Sequence, residues 1–147
     1  MKTFQRILVA TDFSAASMPA FEQAVALAKE SGAELLIANV HKEAGPLEAA
    51  YAPEPAYEQW REQARARAHE SLQSLLQRAR REGLGAEGLI LVGFPDKALV
   101  EAAEHHGADL IVLGTHGRLG AERFFLGSVA ARVVSTAPCP VMTVRAR

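Results

Sequence analysis

Five short runs of consecutive apolar residues, all but the last followed by a stretch with helical periodicity, restrict this 147-residue chain more than any other feature. They are RILVA (6–10), AELLIANV (33–40), GLILV (88–92), DLIVL (109–113) and VMTVR (141–145). A strand with one wet face alternates apolar and polar residues, whereas a strand covered on both faces is apolar throughout. Runs of the second kind, separated by amphipathic helices, imply a parallel sheet with helices on both sides. The expected fold class is therefore α/β, doubly wound.

The intervening stretches agree. Phe21, Ala24, Val25 and Ala28 recur at helical spacing until Gly32, with Pro19 in the first turn, where its missing N–H is no loss. Ala64, Ala68, Leu72, Leu75, Leu76 and Ala79 mark a long helix ending near Gly83. A third helix runs from about Pro95 to His106 and buries Leu99, Val100 and Ala103; a fourth covers SVAARVVSTA (128–137). Residues 42–56, KEAGPLEAAYAPEPA, hold three prolines and no clean period, and read as a variable connection.

Composition narrows the function. The length suits one domain spanning 1–147, and 49% hydrophobic with 22% charged residues is ordinary for a globular protein. No apolar run approaches the roughly 20 residues needed to span a bilayer, so no membrane partner is expected. The first apolar run, Ile7 to Ala10, is far shorter than the core of a secretory signal. A single cysteine, Cys139, excludes an internal disulfide and suits a reducing compartment, so the expected location is the cytoplasm. Sixteen basic against seventeen acidic residues give a net charge of −1, without the basic groove a nucleic-acid partner needs.

Several motif readings fail. GLGAEG (83–88) matches the dinucleotide fingerprint literally, but it follows a helix and precedes a strand, the reverse of the order that aims a helix N-terminus at a pyrophosphate. The P-loop pattern, with its phosphate-reaching lysine, is absent. Asp109 sits at the amino end of its strand, where a Mg²⁺-binding acid would be misplaced, so helix capping or solvent exposure is expected of it. His105 and His106 are adjacent on a helix and point about 100° apart, which does not converge on one ion. Ser14, Ser17 and Ser128 lack a nucleophile elbow.

GTHGRLGAERFFLGS (114–128) is different, because it places four glycines directly after an apolar run. In doubly wound sheets ligands bind beyond the carboxyl ends of the strands, where connections diverge to opposite faces. Gly114 follows the fourth run at that end, Gly117 comes three residues later, and Gly127-Ser128 opens the next helix. Glycine lets an anion approach the backbone, and a helix start offers unpaired N–H groups at the positive end of a dipole. Together with the Ser128 hydroxyl these groups suit phosphates. Equally, spacing alone allows the glycines to make turns and Ser128 to cap its helix.

The spacing Gly114-x-x-Gly117, nine residues, then Gly127-Ser128 resembles the nucleotide-binding signature of the universal stress protein family. The flanking GADLIVLGTHGR and LGSVAARVVSTAPCPVMTVR resemble it too, as does the opening RILVATDFS; the similarity covers the chain except about 42–67. The resemblance implies a five-stranded parallel sheet of order 3-2-1-4-5 and membership of the single-domain ATP-binding branch. It implies that Ala10, Thr11 and Asp12 lie along the adenosine, with the Asp12 carboxylate near ribose or base, and that Val40 meets the adenine edge through its backbone. Gly114, His116 and Gly117 would line the ribose and phosphates, while Gly127, Ser128 and Val129 would bind phosphate oxygens. His41 lies at the same mouth, and Arg118 and Arg123 either lend positive potential or are solvated.

The implied cofactor is ATP, with Mg²⁺ or Mn²⁺ held by the phosphates, and the implied role is a nucleotide-dependent switch in the stress response that acts on an unknown protein partner. Phosphoryl transfer needs charge neutralisation and a residue that orients the attacking group. No lysine is placed for it, and only Asp12 or His116 could orient a water, so at most a slow ATPase is expected. A homodimer through the C-terminal strand is expected as well. The competing readings are a slow ATPase on the same fold and a dimeric interaction module that binds no nucleotide.

Overall fold

The computed structural model describes residues 3–41, 50–51, 54–116 and 126–146. Strands β1 (Arg6–Ala10), β2 (Glu34–His41), β3 (Ala86–Val92), β4 (Leu110–Gly114) and β5 (Val141–Val144) alternate with helices α1 (Met18–Ser31), α2 (Glu54–Arg81), α3 (Pro95–His106) and α4 (Ser128–Thr136). A single 3₁₀ turn, Ala15–Ser17, precedes α1. The sheet has the order β3-β2-β1-β4-β5, and every pairing is parallel. Fold class and strand order are those the sequence led us to expect.

The continuous apolar strands supply two cores at once, because successive side chains point to opposite faces. Ile7, Val9, Leu35, Ile37, Leu110 and Val112 face Phe21, Ala24 and Ala28 of α1 and Leu72, Leu75 and Leu76 of α2. Leu8, Leu36, Ala38, Ile111 and Leu113 face Leu99, Ala102 and Ala103 of α3 and Ala130 and Val133 of α4. Phe21 is 1% exposed; burying such a side chain stabilises the fold by about 1.5–3 kcal/mol. Gly32 and Gly107 end α1 and α3 at φ 72° and 65°, the left-handed region where a Cβ is penalised.

Two boundaries differ from the sequence reading. Helix α2 starts at Glu54, inside the stretch read as a connection and ten residues before Ala64. Its first buried residue is Ala68, so its opening turns carry no apolar stripe for periodicity to detect. The remainder of that connection, 42–49 and 52–53, lies outside the described residues. Gly114 is the last residue of β4, paired with Val144, rather than the first of the loop.

Asp109 neither caps a helix nor merely meets solvent: its carboxylate accepts the N–H groups of Gln5 at 2.9 Å and Arg6 at 3.1 Å, which fixes the entry of β1 beside β4. In GLGAEG, Gly88 serves packing. A Cβ there would lie 2.7 Å from Leu72 Cδ2, so the glycine lets α2 close onto β3. Among the described residues no helix is long and apolar enough to cross a membrane.

Candidate functional site

The chain leaves β1 toward α1 on one face of the sheet and leaves β4 toward α4 on the other. These two strands are neighbours, in register at Val9 and Val112, so their carboxyl ends bound the crevice where the connections part. Ala10 ends β1, and Thr11, Asp12 and Phe13 continue from it. Gly114 ends β4, and Thr115 and His116 follow. The fold thus brings Ala10–Asp12 and Gly114–His116 to one place. Val40 lies on β2, two residues past the last β1–β2 pair, Ala10 with Ala38. Its side chain packs against the core under α3 and α4.

The start of α4 is drawn to the same place. Gly127 is its N-cap, with no side-chain capping bond, and its N–H donates to the Thr115 carbonyl at 2.7 Å. A Cβ on Gly127 would lie 2.8 Å from that carbonyl oxygen, and one on Gly114 would lie 3.3 Å from the His116 carbonyl oxygen and 3.6 Å from that of Ala16. At both positions glycine allows backbone to meet backbone, and the result is a helix N-terminus seated against the end of β4. The N–H groups of Ser128, Val129 and Ala130 belong to that first turn, which has no preceding turn to accept them. Ser128 is the first helical residue rather than the cap, and it is exposed; Val129 packs into the core below. Gly117, Arg118 and Arg123 lie outside the described residues.

His116 Nδ1 lies 3.1 Å from Thr115 Oγ1. With the hydroxyl donating to Nδ1, the ring proton resides on Nε2, which is buried and has no partner among the described residues. A buried donor without an acceptor is costly, and an oxygen-rich ligand at the crevice would satisfy it. His41 Nε2 is likewise buried and unpartnered among the described residues. Burial lowers the His41 pKa below the usual imidazole value, and the positive charges of Arg65 and His69 on α2 add to the effect.

The loop after β1 is held by a dense polar network. Thr11, 5% exposed, accepts from the Phe13 N–H at 3.0 Å through Oγ1. The same oxygen lies 3.0 Å from Ser17 Oγ, and the Ser17 hydroxyl donates to the Ser14 carbonyl at 2.8 Å. One proton per hydroxyl makes Thr11 the donor to Ser17. The Thr11 side chain therefore works inside the loop rather than toward a ligand. Asp12 Oδ1 accepts from the Ser14 N–H at 2.9 Å and from the Ser14 hydroxyl. Phe13 has φ 64°, a conformation that costs a bulky residue about 1–3 kcal/mol and persists only when its surroundings impose it. Asn39, 8% exposed, donates from Nδ2 to the Thr11 carbonyl at 2.9 Å. Sequence reasoning passed over Asn39; its one signal was an amide inside an otherwise apolar run.

Elsewhere, a groove of about 240 Å³ between α1 and α2 is lined by Phe21, Val25 and Ala26. The ion pairs Lys29–Glu82 at 2.7 Å and Arg78–Glu22 at 3.8 Å border it. It opens on the outer surface of the helices, and these charges already have partners. His105 and His106 stack edge to face at the end of α3, and among the described residues no three His, Cys, Asp or Glu side chains gather as a metal site.

Comparison with known proteins matches this arrangement to one family. The model of the universal stress protein family matches residues 3–145. A universal stress protein of Thermus aquaticus is 38% identical over 151 residues, covering 97% of this chain and 99% of that one. Universal stress protein MJ0531 of Methanocaldococcus jannaschii is 37% identical over 142 residues, covering 97% and 82%. Among solved structures, universal stress protein UspA from Lactobacillus plantarum superposes with a TM-score of 0.87 at 28% identity, over 99% of this chain and all of that one. A universal stress protein in complex with cAMP gives 0.73 at 29% identity over 98% of each chain. One from Archaeoglobus fulgidus in complex with dAMP gives 0.64 at 26% identity, over 98% and 100%. This chain belongs to the universal stress protein family.

Proposed function

We propose that this chain binds ATP at the crevice between the ends of β1 and β4 and acts as a nucleotide-dependent switch in the stress response. The observation that carries the reading is the seating of the α4 N-terminus against the end of β4, through the 2.7 Å bond from Gly127 to the Thr115 carbonyl. It aims the unpaired N–H groups of Ser128 and Val129 at the mouth of the crevice, which suits phosphate oxygens. Across that crevice Asp12 is the acceptor for ribose hydroxyls or the base, and the Val40 backbone meets the adenine edge. His116 Nε2 supplies a further donor, and Gly117 completes the phosphate loop. Mg²⁺ or Mn²⁺ is carried by the phosphates and supplies charge neutralisation. The nucleotides held by two structural neighbours, cAMP and dAMP, support a nucleotide site of this kind.

Hydrolysis is slow or absent in this reading. Of the lysines the structure describes, Lys29 pairs with Glu82 and Lys97 lies over the Phe94 ring, 5.6 Å from its centroid, so neither serves the phosphates. The protein is placed in the cytoplasm and works as a homodimer. Among the described residues β5 pairs only with β4, leaving an outer edge that a second copy satisfies; light scattering giving a monomer at high concentration would refute the dimer.

The test is calorimetric titration of nucleotide-stripped protein with ATP and Mg²⁺, with GTP and AMP as competitors. The expected result is one ATP per chain, with binding abolished by Gly117→Val and weakened by Asp12→Ala. Equal affinity in both variants would sink the site, and turnover near 1 per second or faster, within the ordinary enzyme range, would sink the switch.

A further inference from the structure

From the geometry we infer that Asn39, which lies beneath the site rather than in it, is the residue that makes the site select a nucleoside over a bare polyphosphate. The inference rests on the nucleotide reading above. Strand β2 runs three residues beyond its last pair with β1, and the final ladder bond between them is Thr11 N–H to the Ala38 carbonyl at 2.9 Å. At the next position β1 has already turned away, and a backbone carbonyl, that of Thr11, is left facing β2. The Asn39 amide takes it at 2.9 Å, so a side chain extends the ladder by one bond.

The consequence falls on Asp12. Its preceding peptide is held through the Thr11 carbonyl by Asn39, and its following peptide is held through the Phe13 N–H by Thr11 Oγ1 at 3.0 Å. Fixing both flanking peptides fixes the backbone angles of Asp12, hence the direction of its side chain. Ser14 then sets the rotation of the carboxylate. The left-handed Phe13 at φ 64° pulls against this arrangement, because a relaxed Phe13 would swing the loop and Asp12 with it. Asn39 is thus a positioning residue: it touches no ligand and acts only through Asp12.

Among the described residues the phosphate half of the site shares none of these hydrogen bonds. Gly127 and the α4 N-terminus are tied to Thr115, and Gly114 to His116 and β5; its one approach to the loop after β1 is to the Ala16 carbonyl, 3.6 Å from where its Cβ would stand and beyond the two peptides that flank Asp12. Loss of Asn39 therefore weakens whatever Asp12 recognises, the ribose and base, and spares what the glycine loop recognises.

The experiment titrates wild type, Asn39→Leu, Asp12→Ala and the double variant with ATP and, separately, with inorganic tripolyphosphate. Asn39→Leu keeps the heavy-atom count and branching of the side chain and removes the donor. The expected result is an ATP affinity at least tenfold weaker, tripolyphosphate affinity within twofold of wild type, and less than a twofold further loss of ATP affinity when Asn39→Leu is added to Asp12→Ala. Restoration by Asn39→Gln, which returns a donor, is expected in part. Unchanged ATP affinity overturns the inference, as does an equal loss for both ligands or a full additional loss in the double variant. Should Asn39→Leu fail to fold, Thr11→Val removes the other peptide strut and carries the same expectations. Wild type that binds neither ligand overturns the nucleotide reading itself, whereas wild type that binds ATP alongside an indifferent Asn39→Leu overturns only the role of Asn39.

Discussion

Gly127→Ala tests whether the α4 N-terminus is seated against β4 as tightly as the geometry implies. The new methyl carbon would stand 2.8 Å from the Thr115 carbonyl oxygen, and ordinary contact begins at 3.4 Å, so the start of α4 must retreat by about 0.6 Å. The opposing atom is backbone, and no side chain can rotate away to relieve it. Retreat stretches the 2.7 Å bond from Gly127 N–H to the same oxygen, worth about 1 kcal/mol. Overpacking strain adds about 1–3 kcal/mol. The substitution also removes unfolded-state freedom, which returns about 0.4–1 kcal/mol, since φ −61° suits alanine. The net loss is about 1–3.6 kcal/mol, and at about 3 °C per kcal/mol for a chain of this size the melting temperature should fall by about 3–11 °C. Differential scanning calorimetry reads this directly, and an ATP titration of the same variant should show weakened binding because the phosphate-facing N–H groups move with the helix. Gly85→Ala is the control: its methyl group would meet Glu34 Cγ at an ordinary 3.6 Å, so it should melt at or slightly above wild type. A Gly127→Ala protein that melts with wild type would refute the packing argument. One that melts lower yet binds ATP unchanged would refute the link from packing to site.

Gly32→Ala and Gly107→Ala should each cost about 1–2 kcal/mol through left-handed backbone strain, with no atom of the described residues within 4 Å to add a clash; urea titration should show lower midpoints and unchanged slopes. The lowered His41 pKa means the folded chain takes up a proton less readily than the unfolded chain. Stability should therefore decline as pH falls through the usual imidazole value, and His41→Gln should flatten that slope in melts between pH 8 and 5. Glu82 has its pKa lowered first by the hydrogen bond from Lys29 and then by the Lys29 charge. Its contribution is present above the ordinary carboxylate pKa and lost as pH falls through the depressed one, so wild type and Glu82→Gln should converge in stability in strong acid. The pair is exposed, so the difference at neutral pH should be small and should shrink further in high salt.

The five strands and their order of appearance were legible because burial on both faces writes a continuous apolar run, a signal local to each strand. The start of α2 was not, since its first turns bury nothing and helical periodicity exists only where a face is buried. The glycines of 114–128 drew attention to the end of β4, but their immediate reason was hidden. At Gly114 and Gly127 the neighbour is backbone from the adjoining loop, and no spacing rule reveals which carbonyl will be opposite. Asp12 could be named from the family signature, whereas Asn39, Thr11 and Ser17 form a network that joins positions 28 and 6 residues apart. Such contacts exist only once β1 and β2 are paired.

Two side chains, one on β2 and one just before β4, clamp the central strand β1 at its ends, and they should separate stability from binding. Asp109, just before β4, takes the N–H groups of Gln5 and Arg6 at the entry, while Asn39 of β2 takes the Thr11 carbonyl at the exit. Between the two lie the five residues of β1, about 17 Å of extended chain at roughly 3.3 Å per residue. Asp109→Ala leaves two strand-entry donors to water, because that end of the sheet is open to solvent, and the loss should be about 1–2 kcal/mol in urea titration. Nucleotide affinity should stay within twofold, since the rigid sheet separates the entry from the crevice. The exit clamp should behave in the opposite proportion, with Asn39→Leu altering ligand choice more than its effect on the melt would suggest. If Asp109→Ala weakened ATP binding as much as Asn39→Leu does, register shifts in β1 would be reaching the site. The crevice would then be a soft end of the sheet, and Asp12 could not be preorganised by two peptides alone.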